Sequence, residues 1–249
     1  MGRQRLPWRE VAIREIRPET PSAKTLVLDV PGWPGHAAGQ HVDIRLTAED
    51  GYQAQRSYSI ASAPGEPDVE LTVERIDDGE VSPYLTEEVG PGDGFELRGP
   101  IGGYFVWDPA RDEPVLLVGG GSGLAPLMAM LRHRRATGTA VDARLLLSAR
   151  TLEDVLYRDE LEELAADGET APPVVRITLT REDPPPGWSG FRGRIDRDML
   201  TELGLPPTER PRAYVCGPTP FVEEAARLLV ELGHEPARVH TERFGPTGG

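Results

Sequence analysis

Gly119-Gly-Gly-Ser-Gly-Leu-Ala-Pro126 follows the apolar run Pro114-Val-Leu-Leu-Val118 and leads into Ala125–Arg135, a stretch with helical spacing. A buried strand, a glycine turn and a helix, in that order, form the first half of a βαβ unit. Small residues in such a turn let backbone N–H groups close on a pyrophosphate, and the helix N-terminus adds partial positive charge. From Gly121 the pattern is G-x-G-x-x-P, with Pro126 where dinucleotide-binding turns usually carry a third glycine. Proline is tolerated there because the first turn of a helix makes no use of that N–H. Taken alone, the turn is either a phosphate cradle or a glycine turn without a ligand.

Downstream, strand signals at Arg144–Leu147, Val174–Leu179 and Ala213–Cys216 alternate with helical segments at Leu156–Ala166 and Phe221–Leu232. Strands alternating with helices predict a parallel sheet. Cys216-Gly-Pro-Thr-Pro-Phe221 is a second strand end that breaks into a turn and restarts as a helix. Both turns belong at the carboxyl edge of the sheet, where ligands of α/β proteins gather. Upstream the pattern changes to short β runs, Ala23–Val30, His41–Thr47, Gln55–Ile60, Val69–Arg75 and Gly94–Arg98, separated by Pro-Gly, Asp-Gly and Gly-bearing turns. That spacing predicts a small antiparallel barrel with a short helix at Pro83–Val89. The boundary falls in the loop Trp107–Glu113, giving domains of residues 1–109 and 110–249.

The 249 residues suffice for two domains of ordinary size. Twenty-seven basic against 41 acidic residues give a formal charge of −14, which repels a phosphate backbone and argues against a nucleic-acid partner. The apolar runs fall short of the roughly 20 residues that span a bilayer, and the N-terminus has no secretory pattern. A cytoplasmic protein without membrane attachment is the expectation. Cys216 is the only cysteine, so the sequence holds no internal disulfide and no four-cysteine iron–sulfur cluster. No metal site is expected.

Arg56-Ser-Tyr-Ser59 lies in a predicted strand, preceded by Gly39-Gln-His41. A guanidinium can grip a phosphate, an aromatic can cover a flat ring and a hydroxyl can hydrogen-bond its edge. Strand alternation puts Arg56 and Tyr58 on one face and Ser59 on the other. Singly, each has a plain alternative: a surface cation, a core aromatic, a strand filler.

In this order, Arg56-Ser-Tyr-Ser59, Gly79-Glu-Val-Ser82, Gly119–Pro126, Cys216-Gly-Pro218 and Glu242-Arg-Phe244 resemble the motifs of the ferredoxin–NADP⁺ reductase superfamily, over nearly the whole chain. The resemblance implies a six-stranded antiparallel flavin-binding β-barrel followed by an α/β parallel-sheet nucleotide-binding domain whose C-terminal tail returns to the flavin. It implies that Arg56 binds the flavin pyrophosphate, that Tyr58 lies against the isoalloxazine and that Ser59 reaches its N5 edge. Ser57, Val73, Gly79, Val81 and Ser82 complete the flavin set, and the Gly79–Ser82 turn presents a helix N-terminus to the phosphates. On the nucleotide side it implies Gly120, Gly121, Ser122, Gly123 and Pro126 at the pyrophosphate. Cys216, Gly217 and Pro218 then lie beside the nicotinamide, and Glu242 and Phe244 close the flavin site. The family often ends near that aromatic, whereas here Gly245-Pro-Thr-Gly-Gly249 runs on.

The function implied is flavin-dependent NAD(P)H oxidoreduction: hydride to FAD, in preference to FMN, then single electrons to a separate ferredoxin or oxygenase component. Ser59, Cys216 and Glu242 are the expected catalytic-site residues, as orienting groups and not nucleophiles. Ser148-Ala-Arg150 ends the second strand of the nucleotide domain, and Ser148 and Arg150 are candidates for a 2′-phosphate, which favours NADPH over NADH. A monomer is expected. Two other readings stay open: a flavin-free NAD(P) dehydrogenase, which leaves Arg56–Ser59 unexplained, and a non-catalytic redox-sensing flavin module.

Overall fold

The computed structural model describes residues 6–166 and 171–245. Its first half is one antiparallel sheet of six strands, β1 (Arg9–Thr20), β2 (Ala23–Asp29), β3 (His41–Thr47), β4 (Gln53–Ser59), β5 (Val69–Glu74) and β6 (Gly94–Ile101). Their order is β4-β3-β6-β1-β2-β5. A bridge between Ile60, just past β4, and Leu71 on β5 closes the sheet on itself, so the expected barrel is formed. The inward positions of the strands, such as Ile13, Leu26, Ile44, Leu71 and Leu97, are fully buried together. Each such side chain contributes about 1.5–3 kcal/mol relative to exposure, which is what holds a sheet of this curvature shut.

The second half alternates as its sequence pattern requires: β7 (Val115–Gly120), α1 (Leu124–Thr137), β8 (Ala143–Ala149), α2 (Arg158–Ala166), β9 (Val174–Leu179), β10 (Phe191–Arg192), α3 (Arg197–Leu203), β11 (Arg212–Pro218), α4 (Thr219–Glu231) and β12 (Val239–Phe244). All six strands are parallel, in the order β10-β9-β8-β7-β11-β12. The chain proceeds outward from β7 through β8 to β10, then crosses to β11 on the other side of β7. That reversal opens a crevice at the carboxyl ends of β7 and β11, and the two glycine turns picked out from the sequence are the loops that leave those ends.

Apolar side chains cover both faces of the parallel sheet, and the layer on the α1 side continues into the barrel through Ala38, Ala61 and Phe105. A polar seam runs beside this shared core. Arg132 on α1 donates to Glu70 on β5 at 2.9 Å, to Glu160 on α2 and to the carbonyl of Ala61, and it lies over the ring of Tyr157. The Tyr157 hydroxyl meets Thr72 on β5.

The short helix expected at Pro83–Val89 forms as a single π-type turn, Tyr84–Glu88; Val89 is already extended and Gly90-Pro91 prevents continuation. One segment differs from expectation. The helix expected from Leu156 starts at Arg158, because Tyr157 sits at φ +52° and breaks the helical path.

Candidate functional site

Most glycines of the two turns serve close packing. A Cβ on Gly120 or Gly217 would sit 2.8 Å from the Phe221 ring, and one on Gly123 would run into the backbone of Cys216. The turns after β7 and β11 can nest only because these positions have no side chain. Gly121, at φ +55°, is the one turn glycine that faces outward, toward the Glu74 carboxylate of the barrel. Pro126 lies buried in the first turn of α1, where its missing N–H costs no hydrogen bond.

Beside Gly120, Gly121 and Ser122 opens a cavity of about 190 Å³, walled by Thr20, Ser22 and Glu74 of the barrel, by Ser148, Arg150 and Thr180 at the ends of β8 and β9, and by Pro218 and Phe244. Whole small-molecule pockets run to about 300–1,000 Å³, so this space suits one segment of a dinucleotide, such as its diphosphate or a ribose. The seam between barrel and sheet is therefore open at the glycine turn. Arg150 is exposed, and among the described residues no acidic partner lies within ion-pair distance of it.

On the barrel, Arg56 stands opposite Ile44 and Tyr58 opposite Val42, so the two share a face as strand alternation requires. Tyr58 packs against the barrel core, and burial pushes its phenol well up, which keeps it neutral. One Arg56 nitrogen donates to the carbonyl of Gln55 at 2.7 Å and another lies 4.0 Å from Glu80. Arg56 is thus brought to the Gly79–Ser82 turn. Ser82 Oγ accepts from the Ile76 N–H at 3.0 Å, which leaves its own proton to donate. Ser57 points the other way and donates to Asp43 at 2.6 Å. Val73 and Val81 are buried and their side chains pack the barrel core.

A third group lies between these two. Ser59 is the register partner of His41 on β3, and Cys216 is the register partner of Glu242 on β12. His41 Nδ1 is 3.6 Å from Glu242 Oε1, an ion-pair distance across the domain seam, so His41 joins the three expected catalytic-site residues in one chain. Burial raises the Glu242 carboxyl to about 7, and its Oε2 is enclosed without a hydrogen-bond partner. The Cys216 thiol is buried and pushed well above its usual range by desolvation and by Glu242, so it is no thiolate nucleophile. Phe244 is 37% exposed and stands at the edge of the cavity. Residues 246–249 of the C-terminal run-on lie outside the described residues.

A model of oxidoreductase FAD-binding domains matches residues 15–106, and a model of oxidoreductase NAD-binding domains matches residues 117–227. Ferredoxin–NADP reductase B of Sorangium cellulosum is 35% identical over 240 residues, covering 93% of this chain and 91% of that protein. The chain belongs to the ferredoxin–NADP reductase-like family. The glycine betaine monooxygenase reductase subunit of Chromohalobacter salexigens is 35% identical over 84% of this chain but only 56% of its own length, so the chain spans little more than half of that relative. Among solved structures, the FAD/NAD-binding domain of nitric oxide dioxygenase from Vibrio cholerae superposes with a TM-score of 0.84 at 27% identity, over 96% of this chain and 99% of that one.

The residues present fit both cofactors of a reductase of this family. The fit to FAD rests on a guanidinium beside a glycine turn and on a buried carboxylate oxygen still lacking a donor. The fit to NAD(P)H rests on the outward Gly121, the Ser148 and Thr180 hydroxyls and the unpaired Arg150. His41, Glu74, Thr20 and Ser22 escaped the sequence reading. In the sequence His41 stands out only as part of Gly39-Gln-His41, and the other three stand near turns whose approach to the second domain is a tertiary fact.

Proposed function

We propose that the chain is an FAD-dependent NAD(P)H:acceptor reductase that passes electrons singly to a separate ferredoxin or oxygenase component. Bound FAD supplies the conversion of one hydride into two single electrons. The protein's own task is position: Arg56 and the Gly79–Ser82 turn hold the flavin diphosphate, Tyr58 covers the ring, and the Gly120–Gly123 turn with Ser148 and Arg150 holds the nicotinamide dinucleotide. The observation that carries this reading is that His41, the register partner of Ser59, lies 3.6 Å from Glu242, the register partner of Cys216, at the seam between an FAD-binding and an NAD-binding domain.

The antiparallel sheet ends at Ile101 and the parallel one starts at Val115, which supports a division of the chain near residues 109 and 110. NADPH is the preferred donor in this reading, because Arg150 stands free at the end of β8. The separate acceptor is supported by the printed roles of relatives, a ferredoxin–NADP reductase and a monooxygenase reductase subunit, and by the single cysteine of this sequence. We place its work in the cytoplasm; among the described residues no helix is long and apolar enough to cross a membrane.

The test is anaerobic titration of the purified, FAD-loaded protein with NADPH and NADH in parallel. Bleaching of the flavin band followed by rapid reduction of an added one-electron acceptor is expected. A flavin that stays yellow with both nucleotides refutes the reading, and a flavin that bleaches but never passes electrons on leaves a redox-sensing module in its place.

A further inference from the structure

On the reductase reading above, the geometry points to Glu19 as a positioning residue for the nucleotide: its carboxylate ends a one-way chain of hydrogen bonds that fixes Tyr157, and with Tyr157 the Arg150–Leu156 wall of the NAD(P)H cavity.

Thr25 on β2 and Thr72 on β5 are register partners, both buried, on the face of the barrel turned to Tyr157. Thr25 Oγ1 donates to Glu19 Oε1 at 2.6 Å and lies 2.7 Å from Thr72 Oγ1, which meets the Tyr157 hydroxyl. Each hydroxyl has one proton, and a carboxylate only accepts. Thr25 therefore gives its proton to Glu19 and takes one from Thr72, which takes one from Tyr157. All three hydroxyls are then satisfied, and the charge on Glu19 sets the direction of the whole chain. The Tyr157 N–H donates to the same carboxyl group, so both polar ends of this tyrosine hang from one side chain.

Tyr157 needs such a hold, because φ +52° is a conformation that a bulky side chain rarely takes. Ahead of it, Arg150, Asp154 and Leu156 line the nucleotide cavity, while Leu152, Val155 and Tyr157 line a second cavity of about 440 Å³. The segment is thus a partition between two spaces. Near its start the Leu152 N–H donates to Glu182 at 2.7 Å, and at its end the hold is Tyr157. Glu19 also lines the second cavity, and Thr20 beside it lines both.

Burial raises the Glu19 carboxyl above its ordinary range, against Thr25, the Tyr157 N–H, Arg132 on α1 and Arg17 on its own strand, which all favour the carboxylate. Around the second cavity stand Glu153, the pair Arg158–Asp159 at 3.7 Å, and Glu160, which Arg132 holds. Glu19 therefore takes up a proton at a higher pH than an exposed glutamate would. A protonated carboxyl keeps one good acceptor oxygen for two donors, and it can itself donate to Thr25, which reverses the chain. The hold on Tyr157 then slackens, and the nucleotide cavity loses a fixed wall.

The test is calorimetric binding of NADP⁺ to FAD-loaded wild type, Glu19→Gln, Thr72→Val and Thr72→Ser at pH 8 and pH 5. Glu19→Gln keeps the shape but offers one acceptor for two donors, and Thr72→Val removes the middle hydroxyl. Both are expected to bind NADP⁺ about tenfold more weakly than wild type at pH 8, the low end of what one charge-assisted hydrogen bond contributes, while Thr72→Ser binds as wild type. By pH 5 the gap between wild type and Glu19→Gln narrows, because the wild-type carboxyl is taking up its proton; comparison at each pH cancels the titration of the 2′-phosphate. A gap of equal size at both pH values overturns the proposal and leaves Glu19 a packing role. Unchanged binding in Thr72→Val overturns it as well, and the Thr72 pair decides alone if Glu19→Gln does not fold. A wild type that binds no NADP⁺ refutes the reductase reading together with the proposal, whereas binding that all three variants leave unchanged overturns the proposal only.

Discussion

At the level of single residues, charge and burial assign different duties to groups that the sequence shows side by side. Arg150 stands at the carboxyl end of β8 with no acidic partner among the described residues, next to the cavity that holds Ser148 and Thr180. In the NADPH reading proposed above this guanidinium would meet the 2′-phosphate, and one charge-assisted hydrogen bond is worth about 1.5–3 kcal/mol. Arg150→Ala should therefore raise the KM for NADPH by about 10- to 100-fold and leave that for NADH nearly unchanged. Equal changes for both nucleotides in steady-state assays would remove the assignment. Glu242 makes a prediction of opposite electrostatic kind. Its folded-state pKa, near 7, lies above the ordinary value, so the folded protein binds a proton that the unfolded chain has already released. The stability linked to that proton is complete below about pH 4 and is lost as pH rises through 7. With a quarter of the side chain exposed, the wild type should lose about 1–2 kcal/mol relative to Glu242→Gln between pH 5 and pH 8 in denaturant titrations. Parallel pH profiles for the two proteins would show that Glu242 is not held in this way.

Among the elements, the turns after β7 and β11 show why a glycine motif can be read correctly for a partly different reason. The sequence suggests that the glycines clear a path for a phosphate, yet three of those positions are emptied by protein: Gly120 and Gly217 by Phe221, and Gly123 by the Cys216 backbone. Gly123→Ala should push the β7 turn off β11, lower thermal stability and raise the KM for both nucleotides. Gly121→Ala meets only the Glu74 carboxylate, at an ordinary contact distance of 3.7 Å, and strains its φ of +55°, at about 1–2 kcal/mol. Melting temperatures in which Gly121→Ala is the worse of the two would contradict this division.

The same distinction explains which elements were legible. Strands built on apolar runs, Val115–Val118 in β7 and Leu145–Leu147 in β8, and the helically spaced α1 stand out in the sequence. β1 does not, because half of its twelve residues are charged and a bulge after Ile13 breaks the alternation that Val11 and Ile13 begin. β12, Val-His-Thr-Glu-Arg-Phe, has only one apolar residue before its last position and is a strand because β11 offers it an edge. α3 carried a readable signal that went unused, with Asp196 as N-cap accepting from Met199 and Gly204 past its end. The site followed the same rule. Its motifs were local and visible, whereas the link from Ser59 through His41 to Glu242 depends on three strands meeting across a seam.

For the whole molecule, the decisive quantity is the fixed relation between barrel and sheet, since a hydride passes only between rings held in contact. The shared apolar layer allows some sliding, but the polar seam does not. Arg132 carries the burden there, with Glu70 of the barrel, Glu160 of α2, the Ala61 carbonyl and the Tyr157 ring all arranged around one guanidinium that is 13% exposed. Tyr157 is tied from the other side through Thr72 to Thr25, so the segment leading from Arg150 and the cavity into α2 is anchored to the same strands. Arg132→Met keeps the apolar stem and removes the charge. Glu160 then loses its buried cation, while Glu70 keeps Arg17. Breaking one partner of such a pair costs about 3–5 kcal/mol when fully buried, and about 2–3 kcal/mol is expected at this exposure. For a chain of this length that lowers the Tm by about 4–12 °C. If the seam sets the angle between the halves, the bleaching rate with NADPH should fall at 20 °C, far below the melt, while the flavin content stays at the wild-type level. A variant that melts early yet reduces its flavin at the wild-type rate would show that Arg132 stabilises the fold without aligning the two cofactors.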